Sequence, residues 1–254
     1  METKTNKFYA LSNGGGPLEM LKSCGGYYKS PYNKDGQLLG PLVGYAGTYS
    51  FLQDNQTVFK NFVGYEYFNF AKAESDPTIR SYFAWLIIKE IEAHGIIPDK
   101  VIGAPMGGIM LTADISHQLN IPGLFAEKKI TALANPNQGL KEISKMVIDR
   151  HDIEPGDLVI LIEDVCNNFS TTASLQIAIE NRGGKLVAIG CAINRSGQTE
   201  FNGLGVLSAA YVPAKQFTQE DEAVKELIQT GKIIWKPKLE WAKLQEAMKM
   251  QTTS

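Results

Sequence analysis

The 254-residue chain is 44% hydrophobic, enough for a sizeable core, and carries a formal net charge of −2. Without a basic excess no extended nucleic-acid surface is expected, and no apolar run approaches the length of a membrane span. Cys24, Cys166 and Cys191 are widely separated, make neither a disulfide framework nor a zinc spacing, and read as reduced thiols; Met1–Leu11 lacks the apolar core of a signal peptide, so a cytoplasmic location is expected.

Gly14-Gly-Gly-Pro17 reads as a flexible joint. Residues 27–70 then hold twelve of the twenty-one Tyr and Phe residues, interrupted by Gly and Pro from Pro31 to Gly64. That aromatic content argues against disorder and for short strands and loops packed as a subdomain or lid. Asp76-Pro77 opens a predicted helix through Ala93, with Ile79, Phe83, Leu86 and Ile87 at helical spacing and Gly95 ending it. A strand at Val101–Ala104, a turn at Pro105-Met-Gly-Gly108, a helix through Leu119 and a strand around Gly123–Ala126 follow. The polar stretch Lys128–Lys145, with Asn135-Pro-Asn-Gln-Gly139 inside it, is of the kind that forms a functional lid or a disordered loop. After a strand near Met146–Ile148, Pro155-Gly156-Asp157 turns into Leu158–Ile162, five apolar residues that fit a strand buried on both faces of a parallel sheet. A helix from Thr171 ends at Gly183-Gly184, Leu186–Ile193 is another buried strand, and 212–254 reads as a peripheral tail with one or two charged helices. Strand followed by helix, repeated, predicts a mainly parallel α/β sheet.

Two strand-to-helix turns carry the candidate chemistry. Glu163-Asp164 follows the apolar strand and leads through Cys166-Asn-Asn-Phe-Ser-Thr-Thr172 into a helix. Open α/β sheets bind ligands at strand carboxyl ends, and a helix N-terminus offers N–H groups and a positive dipole end to an anion. Hydroxyls of Ser170, Thr171 and Thr172 add donors. The two carboxylates would repel phosphate, so their natural partners are sugar hydroxyls or magnesium; the whole suits a phosphorylated sugar. The alternative is a helix-capping acid with a solvated neighbour. In Gly103-Ala-Pro-Met-Gly-Gly108 the glycines either let an anion approach the backbone or serve tight packing. Ile109 and Met110 stand where a P-loop needs Lys and Ser or Thr, which disfavours a nucleoside triphosphatase. Cys166 reads as turn filler rather than a nucleophile, because no His is placed as its base, and His94, His117 and His151 make no metal spacing. Lys128 and Lys129 are either solvated charges or charges of a lid that neutralises phosphate. Arg195 is either an exposed turn residue or a planar fork for a polar ligand.

Six pieces occur in order: Gly64-Tyr-Glu-Tyr-Phe-Asn69, Gly103-Ala-Pro-Met-Gly-Gly108, Phe125-Ala-Glu-Lys128, Pro155-Gly156-Asp157, Glu163-Asp164-Val165 and Asn194-Arg-Ser-Gly197. From about Gly64 to Pro237 the chain thereby resembles the type I phosphoribosyltransferases, and among them the orotate phosphoribosyltransferases. The resemblance implies a mostly parallel twisted sheet flanked by helices. It also implies an N-terminal hood over 1–75, a phosphoribosyltransferase core over 76–211, a helical tail over 212–254, a mobile loop and a homodimer. The implied reaction transfers ribose 5-phosphate from phosphoribosyl pyrophosphate to a nucleobase, orotate by similarity, with Mg²⁺ carried on the substrate rather than by dedicated protein ligands. By position, Glu163 and Asp164 hold the ribose hydroxyls, and Asn167, Asn168, Ser170 and Thr171 cradle the 5-phosphate. The backbone of Met106, Gly107 and Gly108 faces the pyrophosphate, Lys128 binds phosphate from the loop, and Arg195 contacts the base or its carboxylate. Asp164 and Lys128 are the implied catalytic residues.

The chain departs from the family's pattern where Cys166-Asn-Asn-Phe-Ser170 replaces a Thr-Thr-Gly-Gly run. Asn167 and Asn168 are expected to supply the left-handed conformation that Gly would otherwise give. The Phe169 ring is expected on the ligand side, where it blocks the sugar phosphate or stacks on a different ligand. Thr131 stands in place of a second loop Lys, for which Lys141 or Lys145 substitutes, and Ala104-Pro105 inverts the usual order. A transferase for another base and a non-catalytic nucleotide-binding homologue are the competing expectations.

Overall fold

A computed structural model describes residues 15–53, 56–132 and 143–250. The amino-terminal segment Met1–Leu11, the Asn135–Gly139 stretch and Lys141 lie outside the described residues. Pro17, expected to end a flexible joint, instead opens helix α1 (Pro17–Ser23), where its fixed φ suits a first helical turn. In chain order there follow β1 (Tyr27–Lys29), β2 (Leu42–Gln53), β3 (Gln56–Gly64), β4 (Glu66–Phe68), α2 (Ala71–Glu74), α3 (Pro77–Ala93), β5 (Lys100–Gly103) and α4 (Gly108–Leu119). Beyond them lie β6 (Gly123–Phe125), β7 (Glu127–Ala132), β8 (Ile143–Val147), β9 (Leu158–Cys166), α5 (Ser170–Glu180) and β10 (Lys185–Asn194). The chain continues through β11 (Glu200–Phe201), β12 (Leu204–Tyr211), α6 (Glu222–Gln229), β13 (Ile233–Ile234) and α7 (Trp241–Lys249).

The chain divides into two compact units, one containing Ala73–Val212 and the other residues 21–72 with 213–250. The sheet of the first unit runs β11-β12-β10-β9-β5-β6, and every neighbouring pair is parallel except β11 with β12. Strand β5 is the first of these in the chain; the next, β6, lies on one side of it, and β9, β10 and β12 lie on the other. The order therefore reverses between β5 and β9, which is where open α/β sheets place their ligands. Helix α3 begins where expected, since Asp76 accepts from the N–H groups of Thr78 and Ile79 and Pro77 occupies the first turn. Its Ile87 packs over Gly190 and Ile162 on one face of the sheet. On the opposite face Ile102, Leu124, Val159 and Leu161 meet Leu175 and Ile179 of α5 in one apolar core. Full burial of each such side chain contributes about 1.5–3 kcal/mol. The ion pair of Lys100 with Asp157, 2.6 Å, holds the Pro155-Gly156-Asp157 turn at the start of β9.

The second unit differs from its sequence reading. Strands β2 and β3 pair as one long antiparallel ladder rather than several short strands, because a register shift between Gly44 and Thr48 absorbs the glycines without ending β2. Strand β13 adds to it in parallel, giving the order β13-β2-β3. The segment after 212, expected to be peripheral, supplies Ile234, Trp241 and Leu244 to a core with Tyr28, Val43 and Tyr45. Trp241 also donates its indole N–H to the Gly25 carbonyl. A polar network fastens the same segment to the hairpin: Tyr49 donates to Glu220 and Lys60 pairs with Glu220 at 2.6 Å. Loss of water around Tyr49 and its bond to Glu220 push that phenol up to about 12.

Candidate active site

Strands β5, β9 and β10 are parallel and in register up to their carboxyl ends, so three loops open at one place: Gly103 lies beside Ile162, and Cys166 beside Asn194. The Arg195 N–H donates to the Cys166 carbonyl, and the Ala104 N–H to the Ile162 carbonyl. The Gly107-Gly108 turn lies directly on the acidic pair. A Cβ on Gly107 would overlap the Asp164 carboxyl, and one on Gly108 would overlap the Ile162 carbonyl oxygen. Both glycines are thus required for close approach, and the turn and the carboxylates, 55 or so residues apart in sequence, form one site. The Pro105–Met106 peptide is cis. The Met106 side chain is 82% exposed, leaving its backbone as the part within the turn.

Strand β9 runs on through Cys166, four residues past the expected end, because pairing with β10 satisfies its backbone up to there. Glu163 and Asp164 are accordingly held by a sheet rather than a loop. Asp164 accepts from the Val165 N–H at 2.9 Å. Burial, and then the charge of Asp164, raise the Glu163 carboxyl from 4.5 to about 8. The pair is therefore unequal: the Glu163 carboxyl holds its proton far more strongly than an ordinary glutamate, and a carboxyl that keeps its proton can donate as well as accept. That is a complement to two neighbouring hydroxyls. Among the described residues no group of three or more His, Cys, Asp and Glu could hold a metal.

The Glu163 proton gives a pH prediction. As pH rises the unfolded chain loses this proton near 4.5 while the folded protein keeps it to about 8. The folded state then binds more protons, so stability declines across that window and is lowest above it. Because Glu163 is only half-buried, the full shift is discounted: Glu163→Gln should abolish this decline, making the variant more stable than wild type at pH 9 by about 2 kcal/mol, and no more stable at pH 4. Urea denaturation at both pH values checks it; equal differences at the two would contradict the assignment.

The turn after β9 departs from expectation in two respects. Asn167 and Asn168 do not take the left-handed conformation; Phe169 does, with φ 56°. Its ring does not enter the ligand side. It is 5% exposed and stacked on Phe201, with centroids 4.7 Å apart and planes at 17°, in a cluster with Cys166, Ile189, Cys191 and Val206. Apolar burial offsets the cost of the left-handed backbone, and the turn stays clear of the ring. Asn168 is exposed and its Oδ1 accepts from both the N–H and the hydroxyl of Ser170, so these two residues are bonded to each other; Thr171 follows in the first turn of α5. Cys166 is 3% exposed, and a hydrogen bond with Cys191 and burial push its thiol well above the ordinary range, which agrees with its reading as turn filler.

Arg195 is 4% exposed, which excludes the exposed-turn alternative. Neighbouring Asn194 shapes its loop by accepting from the Ser196 N–H and hydroxyl and donating to the Gln198 carbonyl. Lys128 is exposed on β7, which pairs antiparallel with β8 and leaves the sheet just after Ala126 donates to the Gly103 carbonyl. Lys145, a candidate substitute for the second loop Lys, lies opposite Lys129 in that ladder. Glu163, Asp164, Gly107 and Gly108 are therefore in contact or adjacent, and the loops carrying Asn167–Thr171 and Arg195 meet at the Cys166 carbonyl. Phe201 and Cys191 were not singled out from the sequence. The Asn202-Gly203 pair after Phe201 is a hairpin signal that would have placed Phe201 on a strand, and both residues have positive φ.

No protein-family model matches the chain. An orotate phosphoribosyltransferase of Carboxydothermus hydrogenoformans is 27% identical over 133 residues, covering 52% of this chain and 63% of that protein. One of Pelotomaculum thermopropionicum is 31% identical over 119 residues, covering 45% of this chain and 53% of that one. The matches thus span less than two thirds of these relatives. Among solved structures, an orotate phosphoribosyltransferase from Aeropyrum pernix superposes with a TM-score of 0.50 at 14% identity over 84% of this chain and 98% of its own. The Leishmania donovani UMP synthase gives 0.50 at 12% identity over 94% of this chain and 42% of its own. At such identities the superpositions establish the fold, while the sequence matches show similarity over about half of the chain. Over about half of its length the chain is similar to orotate phosphoribosyltransferases, and it carries the type I phosphoribosyltransferase fold.

Proposed function

We propose that the protein is a phosphoribosyltransferase that moves ribose 5-phosphate from phosphoribosyl pyrophosphate to orotate, giving orotidine 5'-monophosphate and pyrophosphate. The observation that carries this reading is the packing of the Gly107-Gly108 turn against Asp164 at the switch point of the sheet, which supports a pyrophosphate turn and a ribose-hydroxyl pair acting side by side. The orotate phosphoribosyltransferase names of the sequence relatives support the choice of base.

In this reading a base nitrogen bonds to the anomeric carbon as the bond to pyrophosphate breaks; the electron pair leaves on the pyrophosphate, and the proton of the base N–H passes to the pyrophosphate or to water. Positive charge develops on the sugar, so groups that fix the sugar and stabilise the leaving anion suffice, with no covalent intermediate. Asp164 accepts from a ribose hydroxyl and protonated Glu163 completes the pair. The Asn167–Thr171 turn, at the N-terminus of α5, takes the 5-phosphate, and the Met106–Gly108 backbone takes the pyrophosphate. Lys128 adds positive charge from β7. Arg195, buried at the same strand ends, is the planar fork that this reading assigns to a carboxylate on the base. Asp164, a hard oxygen donor beside the Gly107-Gly108 turn, would help hold magnesium brought in on the substrate, which would supply positive charge against the leaving pyrophosphate. The same reading carries a homodimer acting in the cytoplasm.

Thermal denaturation with phosphoribosyl pyrophosphate and Mg²⁺ tests the sugar-phosphate site. At a hundred times the dissociation constant the folded state should gain about 2.7 kcal/mol, roughly 5–10 °C in Tm for a chain of this size. No shift at millimolar concentration would sink the reading.

A further inference from the structure

We propose that Phe201 is a positioning residue for the 5-phosphate turn: through its stack on Phe169 it fixes the backbone of Asn167–Thr171. The identity of the ligand rests on the transferase reading above. Phe169 is a bulky residue in a conformation that L side chains avoid, and it caps α5 with no side-chain hydrogen bond. Its carbonyl accepts the Ala173 N–H, the first bond of the helix, so any relaxation of Phe169 moves the helix start. What opposes relaxation is the ring, buried between Phe201 and the cluster of Cys166, Ile189, Cys191 and Val206.

Phe201 is well suited to act as an anchor. It lies on β11, in register with Leu204 of β12, across an Asn202-Gly203 turn whose two positive φ values suit a tight hairpin. Leu204 packs into the same cluster, and Asn202 donates to Gln176 of α5 at 3.3 Å. The hairpin therefore grips α5 at two places, one polar and exposed, one aromatic and buried next to the phosphate turn. Where a glycine-rich turn takes up its shape freely, this turn has its shape imposed by a second aromatic residue some thirty positions away. In this role Phe201 touches no ligand and acts through Phe169.

The test compares wild type with Phe201→Ala and Phe201→Tyr. Phe201→Ala should raise KM for phosphoribosyl pyrophosphate at least about tenfold, with kcat changing less than about threefold, and Phe201→Tyr should restore KM to within about twofold. Hydrogen exchange of the peptide covering 166–172 should quicken about tenfold in Phe201→Ala while β10 exchanges as in wild type. A wild-type KM in Phe201→Ala, or unchanged exchange across 166–172, overturns the proposal. So does an equal loss of kcat and Tm that Tyr does not rescue, which would make Phe201 a stability residue only. If wild type binds no phosphoribosyl pyrophosphate, the transferase reading fails, and the exchange comparison still decides whether Phe201 holds the turn.

Discussion

Asp164→Asn should lower kcat/KM for phosphoribosyl pyrophosphate by about 10²–10³-fold, the loss of one or two charge-assisted hydrogen bonds that strengthen as the sugar gains positive charge. The melting temperature should move by no more than about 2 °C. Asn has nearly the shape of Asp, so it still fits above Gly107, and its oxygen can still accept the Val165 N–H. A second consequence separates loss of charge from loss of shape. The Asp164 charge is one of two causes that raise the Glu163 carboxyl, so the substitution should bring Glu163 down from about 8. A titration of the Glu163 side-chain carboxyl by NMR reads that shift. A fall in Tm matching the fall in activity would mark Asp164 as structural.

Gly108→Ala should destabilise the protein by about 2–4 kcal/mol, the range for forcing a methyl into a packed backbone contact, or roughly 5–12 °C in Tm. The added Cβ would meet the Ile162 carbonyl, which already accepts from the Ala104 N–H and belongs to a strand paired on both sides. Neither partner has room to shift. Gly205→Ala on β12, whose Cβ would make only an ordinary contact with Leu207 at 3.8 Å, is the control and should stay within about 0.5 kcal/mol. A Gly108→Ala protein melting within 1 °C or so of wild type would show that the turn does not pack on β9 as described.

The core strands were legible because burial on both faces leaves unbroken apolar runs, as in Leu158–Ile162 and Leu186–Ile193, and because Asp76-Pro77 and Gly95 bracket a helix by local chemistry. The two candidate turns were legible for the same reason: glycines or acids sit where an apolar run stops. The strand order that brings them together was not. It depends on long-range pairing of β5 with β9, which no local pattern encodes. Likewise the full length of β9 followed from its partner β10 rather than from its own residues. The hairpin of β2 and β3 was misread because glycine marks both a break and a bulge, and only the register across the pair distinguishes them. Phe169 was misplaced since its conformation is set by a contact with Phe201; the sequence pattern showed a large residue where glycine was expected, but not where its ring would go. The division of 21–72 with 213–250 into one unit rests on contacts such as Val63 with Phe217, more than 150 residues apart.

Release of pyrophosphate from phosphoribosyl pyrophosphate and Mg²⁺, measured with orotate and then with a panel of other bases, tests the central claim most directly. Orotate-dependent release, abolished or nearly so by Asp164→Asn, is the predicted result. Folded protein that releases no pyrophosphate with any base would contradict it, and release with a different base alone would keep the chemistry and replace the acceptor.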